Sequence, residues 1–454
     1  MTTVGLCMIV KDEGPIIERC LASVRNHIDH WLIIDTGSTD GTPALVRRAL
    51  ADVPGQLYER PFVDFGYNRT EAVQAARVGA DYTLVLDADE VLITSEDFAW
   101  PSLETDVVEV AHMSGNHTRR HPALLSNRRS WQYDGVLFER LRTTEGDSRS
   151  FMPTLVVREL RDGSRHTSVT PIERNTLDAR VLEAALKEDE NNLYLRYRLA
   201  ACYRDSNRGT KALEAYTERA ALGGDRGEVA DSLLQVAHLL QRGGADPDLV
   251  IAAYLNAWDV MPTRAEPLTD LAGFAREQGK YSLAQLMAQR ALGITPPLDV
   301  PYIDETVYLW RSQDEYAVAC YWTGYVVESA IASHNLIARG VLPDAELPRV
   351  EQNLQFARDR CEEAGLSPTA VAEGAVSPAA SVGVDAGAPP VVAPLESVQV
   401  DVGMPATVAA SASSTIARAA GSGADVRIPV PMTALDDKAH QFRGLVPAME
   451  PKNN

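Results

Sequence analysis

The sequence is poor in cysteine, and none of its cysteines are paired by spacing. Cys7, Cys20, Cys202, Cys320 and Cys361 are scattered, with no C-x-x-C pattern. That argues against a zinc ribbon or a disulfide framework and suits a reducing cytoplasm. Long apolar runs are also missing: no stretch of about 18 apolar residues occurs, so no membrane span is expected. The first residues, MTTVGLCMIVKDEG, lack a basic leader and do not read as a signal peptide. Positive charge is in deficit, with 43 Lys and Arg against 63 Asp and Glu and a net charge of -20. Neither nucleic acid nor an anionic membrane surface is therefore expected as the main partner. The end of the chain lacks both periodicity and, apart from Phe442, aromatic residues. Residues 363–454, rich in Ala, Pro, Ser and Val, read as a disordered tail.

What remains is ordinary for globular domains: 454 residues, 45% apolar and 23% charged. Over residues 1–175, short apolar runs such as VGLCMIV and HWLIID alternate with amphipathic segments such as PIIERCLASVRNH and TPALVRRALAD. This β-α-β-α order predicts an α/β domain, a mostly parallel sheet with helices on both faces, whose ligands sit at the carboxyl ends of the strands. Two runs end in acids at that edge, Ile33-Ile34-Asp35 and Leu86-Asp87-Ala88-Asp89. Over residues 176–362 helical segments recur, with Ala200, Ala237 and Ala272 spaced by roughly 35 residues. Paired helices at that period, with small residues where they cross, follow the tetratricopeptide pattern and predict an all-α solenoid with a concave surface.

Acids spaced as in Asp87-Ala88-Asp89 project to the same side of an extended strand. Their mutual repulsion is relieved by a hard divalent cation, which can also bridge a diphosphate. Chance acids at a solvated strand end are the plain alternative.

The stretches MIVKDEGPIIERCLASV, WLIIDTGSTDGT and LVLDADE, in that order, resemble the inverting family 2 glycosyltransferases of the GT-A fold. The resemblance spans about 175 residues. RAEPLTDLA and YWTGYVVES extend it to the tetratricopeptide region fused to one branch of these enzymes. It implies a metal-dependent enzyme of hexosyltransferase type, with a nucleotide-sugar donor, UDP-linked by preference, and Mn²⁺ or Mg²⁺ as cofactor. It implies that Glu13 and Asp35 face the base and ribose, and that Gly37, Ser38, Asp40 and Gly41 shape the loop that follows. Asp87 is expected at the ribose or the metal's water, Asp89 on the metal, and Arg69 at phosphate. Trp131 to Leu141 aligns with a family segment whose glutamate position falls on Glu139, the expected general base, with Asp134 a weaker substitute.

The sequence departs from the family in two places. Phe138 stands where a histidine is usual, and Arg161 and Asp162 occupy a second histidine's place, leaving His166 as the nearest replacement metal ligand. His112, His117 and His121, with Arg119 and Arg120, are irregularly spaced and are expected on an exposed acceptor-side loop. A protein or peptide acceptor on the helical repeats is the favoured partner. The missing histidines keep open a catalytically inactive scaffold. A nucleotidyltransferase shares the sheet, but its Gly-rich basic loop is replaced here by the acidic Lys11-Asp12-Glu13-Gly14.

Overall fold

Strand β1 (Val4–Val10) is apolar throughout because both of its faces are covered. Val4, Leu6, Met8 and Val10 pack against helix α1 (Ile17–Val24) and helix α2 (Thr42–Ala49) on one side. Cys7 joins a second core on the other side with Ala72, Val73 and Ala76 of α3 (Phe65–Ala76). The structure, a computed structural model, describes residues 2–115, 117–144, 146–297 and 303–366. The expected C-terminal tail lies outside the described residues, apart from its first four positions, of which Glu363 closes the last helix.

Three further strands, β2 (His30–Asp35), β3 (Gly55–Glu59) and β4 (Tyr82–Val85), join β1 in a parallel set ordered β3-β2-β1-β4. Beyond β4 the sheet is mixed. It continues through β7 (His117–Ser126), β6 (Val107–Ser114), β10 (Arg149–Glu159) and β5 (Glu90–Ile93). β7 is antiparallel to both of its neighbours, β10 is parallel to β6, and β5 is antiparallel to β10. A separate two-stranded ribbon, β8 (Tyr133–Asp134) with β9 (Arg140–Leu141), brackets the loop carrying Glu139.

After a single turn, α4 (Ser164–Thr167), the chain becomes helical at α5 (Pro171–Glu188). Thr170 and Glu173 form a reciprocal cap there and Pro171 takes the first helical position, which makes a sharp start. The expected boundary at 175 thus falls inside α5. Antiparallel helices follow: α6 (Leu193–Asp205), α7 (Gly209–Ala221), α8 (Arg226–Arg242), α9 (Pro247–Val260), α10 (Glu266–Glu277) and α11 (Tyr281–Leu292). Strand β11 (Ile303–Asp304) reaches back to pair with β7, so the helical region lends an edge to the sheet. The stack ends with α12 (Ser312–Thr323), α13 (Val326–Arg339) and α14 (Leu347–Glu363). Sheet and helices belong to one compact unit. Among the described residues no helix is long and apolar enough to cross a membrane.

Ala200, Ala237 and Ala272 are fully buried, one each on α6, α8 and α10. Ala237 packs with Leu234, Leu240, Val250 and Tyr254 at the crossing of α8 and α9. Ala237→Leu should lower stability by about 1–3 kcal/mol through overpacking. Chemical denaturation would show this as an earlier midpoint, and an unchanged midpoint would place Ala237 away from the crossing.

Candidate functional site at the carboxyl edge of the sheet

β1, β2, β4, β6 and β10 run in one direction, so their carboxyl ends share one edge, and β5 begins there because it runs the other way. Asp35 ends β2, Asp87 and Asp89 follow β4, Glu90 opens β5 and Glu159 ends β10. Strands β2, β4, β5 and β10 each deliver an acid to the same rim.

At one end of the rim is Asp35, 2% exposed. Its Oδ1 accepts hydrogen bonds from the backbone N–H groups of Gly37 at 3.0 Å and Ser38 at 2.9 Å. Gly37 takes a φ of +105°, which a side chain would strain. The other oxygen, Oδ2, is buried with no partner among the described residues. Leaving such an acceptor unsatisfied costs about 1–3 kcal/mol, and more for a charged group. Asp35 lines a cavity of about 410 Å³ with Thr36, Gly37, Ser38, Glu59 and Arg60. The first loop is fixed to this one by Asp12 N–H donating to Ser38 Oγ, Gly14 N–H to Asp40, and Thr39 N–H to Asp12. Ser38 and Asp40 therefore shape the loop through hydrogen bonds to the Lys11–Gly14 segment.

At the other end, ligand atoms of Asp89, Glu159 and His166 all lie within 4.8 Å of one another. Burial, then repulsion from Asp87, Glu90 and Glu159, pushes Asp89 up to about 7. Burial, aided by Arg174, lowers His166, which favours the neutral imidazole that can ligate. Two carboxylates and one neutral imidazole fit a divalent cation; the nitrogen donor suits Mn²⁺ better than Mg²⁺. Gly163 passes close by: a Cβ there would lie 3.3 Å from Glu13 and 3.4 Å from Asp89. Glu159 was not singled out from the sequence. Its signal is the one that marks Asp35, an acid closing an apolar run, here LVVRE.

Between the two ends lies Arg69, 7% exposed. Its Nε donates to Glu139 Oε1 and its Nη2 to Asp87 Oδ1, both at 2.7 Å.

Several expectations change. Asp87 and Asp89 do not lie on an extended strand, because Glu90 N–H closes a turn onto the Asp87 carbonyl at 3.1 Å. Asp87 accordingly faces Arg69, while Asp89 faces Glu159 and His166. Arg69, expected at phosphate, uses two donors on carboxylates. Both oxygens of Glu13, expected at the nucleoside, accept from Ser164 at 3.0 and 3.1 Å; burial raises the proton affinity of this acid. Asp134 is exposed and paired with Arg142. The histidine group is not an exposed loop: it lies on the β6–β7 ribbon, where His112 is 4% exposed and bonded to Glu90 at 2.7 Å. His121 faces inward too, and burial drives it well below the usual imidazole range; only His117 is exposed. Phe138 turns away from the acids. It packs with the Leu137, Ala179, Leu182 and Leu195 cluster on α5 and α6, its backbone left-handed at φ +55°.

A mostly parallel sheet with acids along its carboxyl edge, followed by stacked helical hairpins, defines an α/β domain joined to a helical repeat. Residues 6–96 match the family Glycosyl transferase family 2, so the N-terminal part of the chain is a domain of that family. The chain is 43% identical over 107 residues to a TPR repeat-containing protein of Synechococcus elongatus; the match covers 24% of this chain and 25% of the relative. The chain thus spans about a quarter of that relative's length. Among solved structures, BtubC from P. vanneervenii matches 51% of this chain and 98% of its own at 16% identity and a TM-score of 0.34. A tetratricopeptide repeat protein from Parabacteroides merdae matches 42% and 70% at 17% identity and a TM-score of 0.33.

Asp89 makes stability depend on pH. Its folded value of about 7 lies above the usual 3.8, so the fold binds this proton more tightly than the unfolded chain does. Its contribution is intact below about 3.8 and is lost as pH rises through 7. The penalty at pH 8 is up to ~4 kcal/mol. Without divalent cations, Asp89→Asn should therefore raise the unfolding midpoint at pH 8 and leave it unchanged at pH 4. Equal effects at both pH values in a thermal melt would contradict the buried, repelled state of Asp89.

Proposed function

We propose that the protein transfers a sugar, with inversion, from a nucleotide-sugar to a hydroxyl or thiol of a protein or peptide acceptor. The observation that carries this reading is the pairing of two unmet demands on one rim. Asp35 Oδ2 needs a donor, and the Asp89, Glu159 and His166 group needs a cation. A nucleoside diphosphate in the presence of Mn²⁺ or Mg²⁺ meets both.

In this reading Asp35 accepts a hydrogen bond from the base or ribose, held in place by the Gly37 and Ser38 amides. Asp89, Glu159 and His166 hold the cation, which when bound supplies positive charge opposite the diphosphate as the leaving group's charge develops. Asp87 stays beside them, anchored through Arg69. Glu139 accepts the acceptor's proton, and Arg69 fixes its orientation. An acceptor segment is served by the helical hairpins, whose cavity of about 440 Å³ is lined by Arg204, His238, Arg242, Asp270, Arg276 and Glu315 among others. Five buried free thiols support a reducing, cytoplasmic setting.

The second reading, an inactive scaffold, is favoured by one observation: Glu139 Oε1 is already paired with a guanidinium. Incubation with a panel of nucleotide-sugars and Mn²⁺, with released nucleotide measured by mass spectrometry, separates the two. The transferase reading expects turnover that Asp89→Asn abolishes, and the scaffold reading expects none. In calorimetry, Asp35→Asn should weaken nucleotide binding about tenfold, since it keeps the acceptor for Gly37 and Ser38 but replaces the unpaired oxygen with an amide. An unchanged dissociation constant removes Asp35 from the nucleotide site.

A further inference from the structure

The residues beside Glu139 and His166 are gripped by the helical hairpins. On one side of Glu139, Phe138 is inserted among α5 and α6. The Tyr194 hydroxyl donates to its carbonyl at 2.9 Å, and the Arg198 guanidinium lies 3.8 Å from its ring centre. On the other side, Arg140 stacks 3.3 Å over the Tyr194 ring and bonds to Glu228 of α8. Glu228 is 2% exposed and is held in turn by the fully buried Arg219 at 2.7 Å. Beside His166, Arg165 bonds to the buried Asp178 of α5 at 2.6 Å and lies over the rings of Phe65 and Phe138.

Apart from Phe65, every residue in these contacts lies outside residues 6–96, the part that matches the transferase family. A left-handed backbone at a bulky residue such as Phe138 is costly and persists only when its surroundings over-determine it. The surroundings here are helices α5, α6 and α8. Their grip reaches the rim through one short path: Tyr194 and Glu228 fix Phe138 and Arg140, these fix Glu139, and Glu139 fixes Arg69 against Asp87.

We infer that Tyr194, Asp178 and Glu228 are positioning residues for the rim, so that the first helical hairpins form half of the active site's frame as well as any acceptor surface. This rests on the transferase reading for its catalytic consequence, but its geometric content does not. The Phe138 position, where a histidine is usual in the resembling family, is a docking plug, which explains the aromatic side chain there.

The test uses the full chain with Tyr194→Phe, which removes only the hydroxyl that holds the Phe138 carbonyl and keeps the ring under Arg140. The first readout is the ¹⁵N resonance and solvent exchange of the Arg69 Nε–H, which is bonded to Glu139. The expected result is a displaced signal and at least fivefold faster exchange, with the melting temperature nearly unchanged. Asp178→Asn, acting from the Arg165 side, is expected to displace the His166 ring signals in the same way. The second readout is nucleotide-sugar turnover: kcat is expected to fall about 5–20-fold with the donor KM within twofold, and this loss is expected to vanish in a Glu139→Gln background. An Arg69 signal indifferent to Tyr194→Phe overturns the inference, as does an equal loss of kcat with and without Glu139. If the Arg69 signal moves while the unmodified protein turns over no donor, the positioning role stands and the transferase reading fails.

Discussion

One guanidinium holds the centre of this molecule. Arg69 joins α3, the turn after β4 and the loop between β8 and β9, reaching partners 18 and 70 residues away in the chain. A charge buried this deeply is tolerated only when it is paired and hydrogen-bonded. Here two carboxylates do so, and in return they are held at fixed positions on the rim. Asp87 could not lie beside Asp89 without a nearby cation to offset the repulsion. Arg69 provides that cation on the Asp87 side and leaves Asp89, on the other, repelled and short of a counter-charge. The division of the acids into one satisfied and one unsatisfied member follows from where this single side chain sits.

The rim also separates structure from chemistry within one motif. In Asp87-Ala88-Asp89-Glu90 the three acids look alike in sequence, yet each residue ends differently. Glu90 is consumed by His112 and by the Asp87 amide, Ala88 is core, Asp87 goes to Arg69 and Asp89 faces Glu159 and His166. Residues on four neighbouring elements, α3, β6, β10 and α4, largely decide this.

Much of the frame was legible in the sequence because it is coded locally. The apolar runs of β1 and β2, the helical faces of α1 and α2, and the recurring Ala200, Ala237 and Ala272 are patterns over a few residues. So was the placement of Asp35 at a strand end. What was not legible is set by pairs far apart in the chain. Nothing near Arg69 says that Glu139 will meet it, nothing near Glu13 predicts Ser164, and the burial of His112 depends on Glu90 from another strand. The expectation of an extended Asp87-Ala88-Asp89 failed because the Glu90 amide closes a turn there. Phe138 looked like a defect in a catalytic segment, because its binding site is assembled from helices that begin more than thirty residues later.

The two ends of the rim differ in how far along the chain their parts are spread. The pocket at Asp35 is lined by residues from positions 35 to 61, so its parts leave the ribosome together. The cluster at the other end joins Asp89 to Glu159 and His166, 70 and 77 residues later, and the Arg165–Asp178 bond beside it extends further still. Long loops must close before such contacts return any free energy, so they form late. During synthesis the nascent chain passes through a stage in which the residues lining the Asp35 pocket are all present while Asp89 has no companions. The two ends of the rim are therefore completed at different stages of synthesis, the Asp35 end first and the Asp89 end only once Glu159 and His166 have joined it.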